Sequence, residues 1–491
     1  MKLKKLSAVL TAMLCMCSIS APVMQTNAVD EFSENSLVDV ITLHKWLKGQ
    51  GSLDNWKKFD YNHDEKINIF DFVLLKQSIL KEAKPVVSNA SVELSKDIQS
   101  QEVAGKEADE SFINGQTKFA LELFQNEVSA SKNNQNVMVS GYSVVQAFGM
   151  LANGADGDTK TQIEQTIGSM PIEDLNQYLY TQRTTQPDDE TCKLSTANSI
   201  WVRDDAERFQ PKEEFLQTNA NYYNASVFKA PFDNSTVNDI NSWVKKNTDD
   251  MIPELLDKIP DDAVMYLINA IAFDGKWEVS YAEDDVRNAI FTKADGTTQT
   301  VDMMYSEEYH YLEDENATGF CKYYDGNRYA FVALLPDENI STNDYIANLT
   351  PESFQNLISN TESTSVQVGL PKFSFDYDTE LNGTLSAMGI HDAFDDNANF
   401  SKIADTSLFV NKALHKTFIV NKVLHKTFID VSETGTKAAA VTSIEMNVPT
   451  AVAPCPQKSV ILNRPFVYSI VDTENNLPIF LGVLNSVPET E

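Results

Sequence analysis

Apolar residues beyond residue 111 recur first at the spacing of helices and later at the spacing of strands. Two stretches place apolar side chains on one helix face: Phe119, Leu123 and Phe124, then Val145, Phe148 and Leu151. Four later stretches are short and apolar-rich, as buried strands are: residues 263–268, 329–335, 365–370 and 465–471. Because helices and strands are segregated along the chain more than they alternate, the pattern predicts an α+β fold.

A period of two runs through residues 436–446. Every second position is small or apolar: Thr436, Ala438, Ala440, Thr442, Ile444 and Met446. The residues between them are mostly polar, which is typical of a strand with one buried face. Small residues at its start would let neighbouring strands admit it with little steric resistance, and Gly435 supplies backbone freedom where it would pivot. An ordinary amphipathic strand gives the same alternation, so the pattern alone leaves both interpretations open.

The first 28 residues have the pattern of a secretory signal. A basic stretch over residues 2–5 precedes an apolar run over 6–19, and residues 26–28 offer small side chains where a signal peptidase cuts. We therefore expect a secreted, extracellular chain that begins near Val29. The apolar run is too short to span a bilayer comfortably, and no later stretch approaches 18 uninterrupted apolar residues, so we expect no membrane partner.

Composition narrows the class of protein. The chain has 491 residues, 42% of them hydrophobic and 22% charged, which is typical of a folded protein with a large core. The formal net charge of −32 argues against nucleic-acid binding, because phosphate recognition needs basic patches. Cys192, Cys321 and Cys455 follow the signal at irregular spacing. This odd number of cysteines does not favour a disulfide framework or a zinc site.

Residues 60–71 have the oxygen spacing of a calcium-binding loop. The predicted ligands are the side chains of Asp60, Asn62, Asp64, Asn68 and Asp71 and the backbone carbonyl of Lys66. Calcium needs several oxygen ligands around one centre, and this spacing supplies them. The loop departs from the usual pattern where Glu65 replaces a glycine and where Asp71 is shorter than glutamate. An acidic surface turn is the alternative.

The segment around this loop is duplicated. Residues 39–47 repeat residues 71–79 with an offset of 32 positions, and an aspartate begins each copy. A duplicated loop–helix unit of this kind resembles a dockerin, the small all-α module that binds cohesins of cellulosome scaffolds, and the resemblance covers residues 29–81. Ala28 and Phe32 occupy ligand positions in the first copy, so we expect one calcium site. Residues 82–110 are polar without sustained periodicity, and we interpret them as a linker.

Seven short segments of the remaining chain carry a second resemblance: residues 136–143, 269–277, 370–373, 388–394, 424–428, 463–466 and 478–482. In this order they resemble the serpin family of serine protease inhibitors, over essentially all of residues 111–488. Gly141 departs from the family, which has proline there. The resemblance implies a serpin domain over 111–491, with a main β-sheet, helices and an exposed reactive loop.

In that family a protease cleaves the exposed loop, which then inserts into the main sheet and traps the enzyme. The residues that resemble the hinge of inhibitory members are Glu433, Gly435, Thr436, Ala438, Ala440 and Thr442. Counting from either end of the loop places the cleaved bond near residues 449–454, and we place it at Thr450–Ala451. Because residues 448–454 contain no Arg or Lys, a subtilisin-like or elastase-like protease is favoured as the target.

The family also has a hydrogen-bonded group beneath its main sheet that governs opening of the sheet. Its members correspond to Ser140, Ser143, Asn269 and a histidine. Residues 411–420 are repeated almost unchanged as 421–430, so two histidines compete, and His425 keeps the family's spacing to Glu433. The ten extra residues preserve strand phase but must bulge beside the hinge, which puts inhibitory efficiency in doubt.

Three hypotheses follow. The leading one is a monomeric protease inhibitor, not an enzyme, held on an extracellular cellulosome or cell surface by a calcium-dependent dockerin bound to a cohesin. A non-inhibitory serpin acting as a binding or structural component is the alternative. A dockerin-borne carbohydrate enzyme is the third, because acids are frequent enough to leave a carboxylate pair open. The sequence contains no Gly-x-Ser-x-Gly, P-loop or His-Glu-x-x-His motif that would support an enzyme.

Overall fold

The structure is a computed structural model. It describes residues 42–49, 52–53, 56–60, 66–69, 71–72, 75, 91–132, 134–187, 191–204, 211–260, 263, 265–404, 422–436 and 458–488. The predicted signal, Asn62, Asp64, Ala438, Ala440, Thr442, Thr450 and Ala451 lie outside these residues, as does the side chain of Asn269. The chain divides into two compact units, Met1–Ser88 and Asn89–Glu491.

The small unit has a core of its own. Residues 42–47 are helical, and Trp56–Phe59 form a 3-10 turn. Leu43, Phe59 and Leu75 are buried together. Leu43 and Leu75 occupy equivalent positions of the two repeats, 32 residues apart, so the duplicated segments contribute matching side chains to one core.

The large unit combines helices with sheets, as the α+β prediction expects. Its α-helices are α1 Glu110–Ala130, α2 Gly141–Ala152, α3 Gly157–Ile167, α4 Ile172–Thr184, α5 Glu213–Tyr223, α6 Asn234–Asn247, α7 Thr342–Asn348, α8 Pro351–Ser359 and α9 Asn382–Met388. Asp109 caps α1 by accepting a hydrogen bond from the Phe112 N–H, which satisfies one of the free amides at the start of the helix. The apolar spacing predicted for α1 and α2 is confirmed, because those side chains are buried in one cluster.

The strands of the large unit are β1 Val92–Glu93, β2 Val137–Val139, β3 Cys192–Arg203, β4 Ser226–Ala230, β5 Met265–Lys276, β6 Val286–Thr292, β7 Thr298–Glu308, β8 Tyr311–Glu313, β9 Ala317–Tyr323, β10 Tyr329–Pro336, β11 Val366–Pro371, β12 Phe373–Glu380, β13 Lys422–Val431, β14 Gly435–Thr436, β15 Lys458–Ile461, β16 Phe466–Asp472 and β17 Leu477–Leu484. The four strands predicted from sequence correspond to β5, β10, β11 and β16. Among these, β5 extends well beyond its predicted end.

Three sheets form from these strands. The main sheet has the order β1-β4-β3-β5-β14-β13-β12, a second sheet β2-β17-β16-β10-β9-β8, and a third β15-β11-β7-β6. One face of the main sheet packs on α6 through a cluster that includes Trp201, Phe228 and Tyr266. Apolar residues on its other face, such as Ile271 and Phe273, join a cluster shared with the two smaller sheets.

Residues 91–110, the described part of the predicted linker over residues 82–110, are built into the large unit. Val92 and Glu93 pair with β4 as an edge strand of the main sheet, and the Val227 N–H donates to Ser95 Oγ at 3.0 Å. Farther along, the Gln101 N–H donates to Asn221 Oδ1 at 2.8 Å. The missing periodicity misled the prediction, because this segment is held through backbone groups, polar side chains and the scattered apolar side chains of Leu94, Ile98 and Ala108, which form no sustained period.

Candidate functional site: the hinge and the buried network of the main sheet

The chain turns back on itself at the end of β13. The Ser432 N–H donates to the Gly435 carbonyl at 2.9 Å, closing a tight turn. The two residues of β14 that follow enter the main sheet between β5 and β13. Gly435 and Thr436 pair antiparallel with Lys276 and Gly275, and Thr436 also pairs with Val431. The predicted hinge therefore begins as a short strand inside the sheet.

Gly435 lies where no larger residue fits without a shift. A Cβ atom at this position would come within 2.1 Å of the Gly275 carbonyl oxygen. That oxygen is part of the backbone of β5, so it cannot move aside as a flexible side chain could. The close approach of the two backbones, together with the freedom of the pivot, explains the glycine.

Thr436 is the first residue of the predicted buried face, and the structure buries it with 2% of its surface exposed. Its hydroxyl hydrogen-bonds the Tyr324 hydroxyl at 2.6 Å. The prediction of an inward-facing side chain is confirmed at this position. Ala438, Ala440 and Thr442 lie outside the described residues, so the rest of that face stays a prediction.

Two aromatic residues beyond the end of β5 hold the turn, and we call Trp277 and Tyr281 the hinge clasp. The Trp277 backbone N–H donates to the Thr434 carbonyl at 3.0 Å, and the Tyr281 N–H donates to the Glu433 carbonyl at 3.0 Å. The Trp277 indole Nε1–H donates to the Ser432 carbonyl at 2.9 Å. Three consecutive carbonyls of the turn are thus bound. Sequence reasoning noted Trp277 but missed Tyr281, which carries no motif.

Glu433 also forms an ion pair with Lys372, at 2.7 Å between Nζ and Oε1. Partial burial raises the pKa of Glu433, but the hydrogen bond and positive charge of Lys372 outweigh it and bring the pKa below its ordinary value. The two side chains are 31% and 34% exposed. Solvent therefore screens the pair, and it orients the turn more than it stabilises the fold.

Strands β5 and β13 of the main sheet are hydrogen-bonded to each other at one end and unpaired with each other at the other end, which we call the parted region. Strands β5 and β13 pair in parallel from Tyr266 and Lys422 to Ala270 and Lys426. Over residues 271–274 and 427–430, all of them described, the two strands do not pair with each other, and β14 occupies the entrance beyond. The space between β5 and β13 therefore begins directly ahead of Thr436.

A buried network lies where the paired and parted regions meet. His425 Nε2 accepts a hydrogen bond from the Ser140 N–H at 3.0 Å, and Ser140 Oγ donates to the Ile479 carbonyl at 2.7 Å. Ser140 Oγ also accepts from the Ser143 N–H at 3.2 Å, capping α2. The structure thus brings together Ser140, Ser143 and His425, as predicted, and Asn269 is the strand partner of His425.

Thr427 belongs to the same network and was missed from sequence. It lies two residues after His425 on the same strand face, and its Oγ1 donates to the Met138 carbonyl at 3.0 Å. Both side chains are buried. Burial lowers the pKa of His425 to about 4, so the imidazole is neutral at pH 7 and can accept the bond from Ser140.

The calcium prediction concerns the small unit. Asp60 and Asp71 are 8% and 0% exposed, and the Asn68 N–H donates to Asp71 Oδ2 at 2.8 Å. A buried carboxylate oriented by the loop backbone fits a cation-binding loop. Lys66 and Asn68 are also described, whereas Asn62 and Asp64 are not. Within the described residues no three His, Cys, Asp or Glu side chains are grouped to hold a metal, so calcium binding stays a prediction.

Comparison with known proteins identifies the large unit. The family model for "Serpin (serine protease inhibitor)" matches residues 114–487. This chain belongs to the serpin family. Its serpin relatives include an uncharacterized serpin-like protein of Methanosarcina mazei, 31% identical over 71% of this chain and 80% of the relative. Human neuroserpin is 28% identical over 73% of this chain and 87% of its own length.

Solved serpin structures agree with this assignment. The thermophilic serpin tengpin in its native state is 45% identical and matches with a TM-score of 0.74, over 81% of this chain and all of that one. Tengpin in its latent state matches with a TM-score of 0.68 at 43% identity, over 78% of this chain and all of that one. The serpin fold expected from the sequence is confirmed. Among the described residues no helix is long and apolar enough to cross a membrane.

Proposed function

We propose that this serpin is a suicide-type inhibitor of serine proteases that traps its target by loop cleavage and insertion. The supporting observation is the parted main sheet with Gly435 and Thr436 already at its entrance. A strand that enters there gains backbone hydrogen bonds on both sides, because β5 and β13 each present an unpaired edge over residues 271–274 and 427–430. These hydrogen bonds would supply part of the driving force for the proposed insertion.

The register supports the same function. Extending the antiparallel pairing of Thr436 with Gly275 by one residue at a time places Ala440 opposite Ile271 and Thr442 opposite Asn269. Extending the pairing of Thr436 with Val431 places Thr442 opposite His425 by the same count. Residues 437–440 would fill the parted region, and the next residues would have to separate the paired strands at the buried network.

The side chains of the incoming strand suit this path. Thr436 faces the interior, so the alternation places Ala438, Ala440 and Thr442 on the same face. These residues are small, and the interior of a sheet tolerates added volume poorly. We propose Thr450–Ala451 as the cleaved bond and a subtilisin-like or elastase-like protease as the target.

Incubation of the wild-type protein with subtilisin tests the inhibitory function. It should give a covalent complex that survives denaturing electrophoresis, and loop cleavage should raise the thermal stability sharply.

A matched pair of variants tests the inward face of the loop. Ala438→Arg places a large cation on the inward face and should convert the inhibitor into a substrate. Ala439→Arg places the same side chain on the outward face and should leave complex formation intact.

The repeat of residues 411–420 as 421–430 beside the hinge favours one second candidate, a non-inhibitory serpin that acts as a binding or structural component. Simple digestion of the wild-type loop, with no complex and no gain in thermal stability, would rule out inhibition and favour this candidate.

For the small unit we propose a calcium-dependent dockerin that binds a cohesin and holds the secreted inhibitor on a cellulosome scaffold or cell surface. Its support is the sequence repeat, the shared core of Leu43 and Leu75 and the buried Asp60 and Asp71. Binding to a panel of immobilised cohesins should occur in calcium and be lost in a chelator. Binding that persists in the chelator would contradict the calcium role.

A further inference from the structure

A lysine is buried behind the hinge clasp. Lys322 lies on β9, and its side chain is only 3% exposed. Its Nζ is 2.7 Å from Oε1 of Glu308, at the end of β7, and Ser306 Oγ donates to the same carboxylate oxygen at 2.7 Å. Burying an ammonium is costly even when it is paired, so the position of this lysine calls for an explanation beyond ordinary packing.

The ammonium contacts both members of the hinge clasp. Lys322 Nζ lies 4.5 Å from the ring centroid of Tyr281 and 5.6 Å from that of Trp277. A cation near an aromatic ring is attracted by the negative charge of the ring face, most strongly where water is excluded. Tyr281 and Trp277 are 7% and 3% exposed, which meets that condition. Lys322 therefore fixes the two rings relative to each other and to Glu308.

The hinge clasp in turn binds the three carbonyls of residues 432–434. It follows β5 in the chain, and the turn follows β13, so these bonds tie the ends of the two strands together at the entrance. Entry of the loop beyond residue 440 requires β5 and β13 to move apart where they are still paired, and the tied ends of the two strands must adjust to that movement. A clasp with a fixed geometry resists this movement while the loop is uncleaved.

We infer that Lys322 is a positioning residue that holds Trp277 and Tyr281 against the hinge turn and delays insertion of the uncleaved loop. The inference rests on the proposed inhibitory function, since it concerns the lifetime of the form that is competent to trap a protease.

The experiment separates the ring contacts from the buried charge. Lys322→Met alone would leave Glu308 unpaired, so the informative variant is the double substitution Lys322→Met with Glu308→Gln. Glu308→Gln alone is its reference, because it neutralises the carboxylate and keeps the ammonium on the rings. Lys229→Met is a control for loss of a paired lysine in a different sheet: Lys229 lies on β4 of the main sheet, and its Nζ is 2.7 Å from Asp204 Oδ1.

Each folded variant is incubated with its loop uncleaved, at a temperature below its melting temperature. Samples taken over time are assayed for complex formation with subtilisin and for the fraction of uncleaved chain that has become resistant to urea on a gradient gel. We expect the double variant to lose inhibitory activity and gain urea resistance about tenfold faster than Glu308→Gln. A tenfold change in rate corresponds to the energy of an ammonium–ring contact from which water is excluded. Lys229→Met should decay at the wild-type rate. Glu308→Gln removes the counter-charge of a buried ammonium, so its own rate, and not the wild-type rate, is the reference for the double variant.

The role of Lys322 would be overturned if the double variant and Glu308→Gln converted at equal rates. It would also be overturned if Lys229→Met accelerated conversion as much as the double variant does. A double variant that melts earlier but converts at the wild-type rate would assign Lys322 to general stability and also overturn it. A wild-type protein that forms no complex and gains no stability on cleavage would instead refute the proposed function.

Discussion

His425 shows how burial sets the charge of a side chain in the main sheet. Its ring is 2% exposed, and its Nε2 can accept the Ser140 N–H only while the ring is unprotonated at that nitrogen. Desolvation lowers its pKa to about 4, below the ordinary value near 6.5. Protonation would break the bond and place a charge beneath the strands that meet there.

The expected result is a loss of stability in acid. Because the folded pKa is lower than the unfolded one, the unfolded chain binds the proton more readily, and stability falls as the pH drops from about 6.5 toward 4. Between pH 7 and pH 5 this group alone should cost about 2 kcal/mol. The measurement is the urea midpoint at both pH values. His425→Gln should lose this part of the pH dependence, and an unchanged pH profile in that variant would contradict the assignment.

Gly435 gives a second prediction for a single residue. Gly435→Ala brings a Cβ against the Gly275 carbonyl, so the turn must shift and β14 should lose its pairing. Overpacking of this kind costs about 1–3 kcal/mol, and urea unfolding measures it. Gly383→Ala is the matched control, because nothing lies within 4 Å of a Cβ there. Equal midpoints for both variants would show that the close approach imposes no constraint.

Among the secondary-structure elements, β1 leads to a testable prediction. It extends the main sheet with residues that lie before residues 114–487, the segment that the serpin family model matches. Ser95→Ala removes the oxygen that accepts the buried Val227 N–H, and an unsatisfied buried donor costs about 1–3 kcal/mol. Unfolding in urea should therefore occur at a lower concentration. Lys96→Ala, at an exposed neighbouring position, should leave the midpoint unchanged. If both substitutions have the same small effect, the edge strand contributes little to stability.

At the scale of the whole molecule, the two units should respond differently to calcium removal. All predicted ligands, from Asp60 to Asp71, belong to the unit Met1–Ser88. Metal binding stabilises the unit that contains the site, by mass action. Calorimetry in a chelator should show a lower melting temperature for the small unit and no change for the serpin unit. Asp71→Asn should reproduce the effect of the chelator in the presence of calcium, and a chelator shift of the serpin transition would contradict the assignment.

Local patterns in the sequence determined much of this protein. The helical spacing of α1 and α2, the apolar runs of β10, β11 and β16, and the inward direction of Thr436 are set by periodicity within a few residues, so they were predictable. The order of short motifs predicted the serpin family and the grouping of Ser140, Ser143 and His425.

The tertiary structure decided what depends on distant segments. Tyr281, Thr427 and the Lys322–Glu308 pair carry no local signal, because their roles arise only when β5, β7, β9 and β13 meet. The sequence of residues 91–110 predicts a linker because its backbone contacts and scattered apolar contacts leave no sustained apolar period. Periodicity indicates which face of an element is buried. It does not set the register of β5, β13 and β14, because that register is fixed by hydrogen bonds between strands far apart in the chain. The same register leaves β5 and β13 unpaired with each other ahead of the loop.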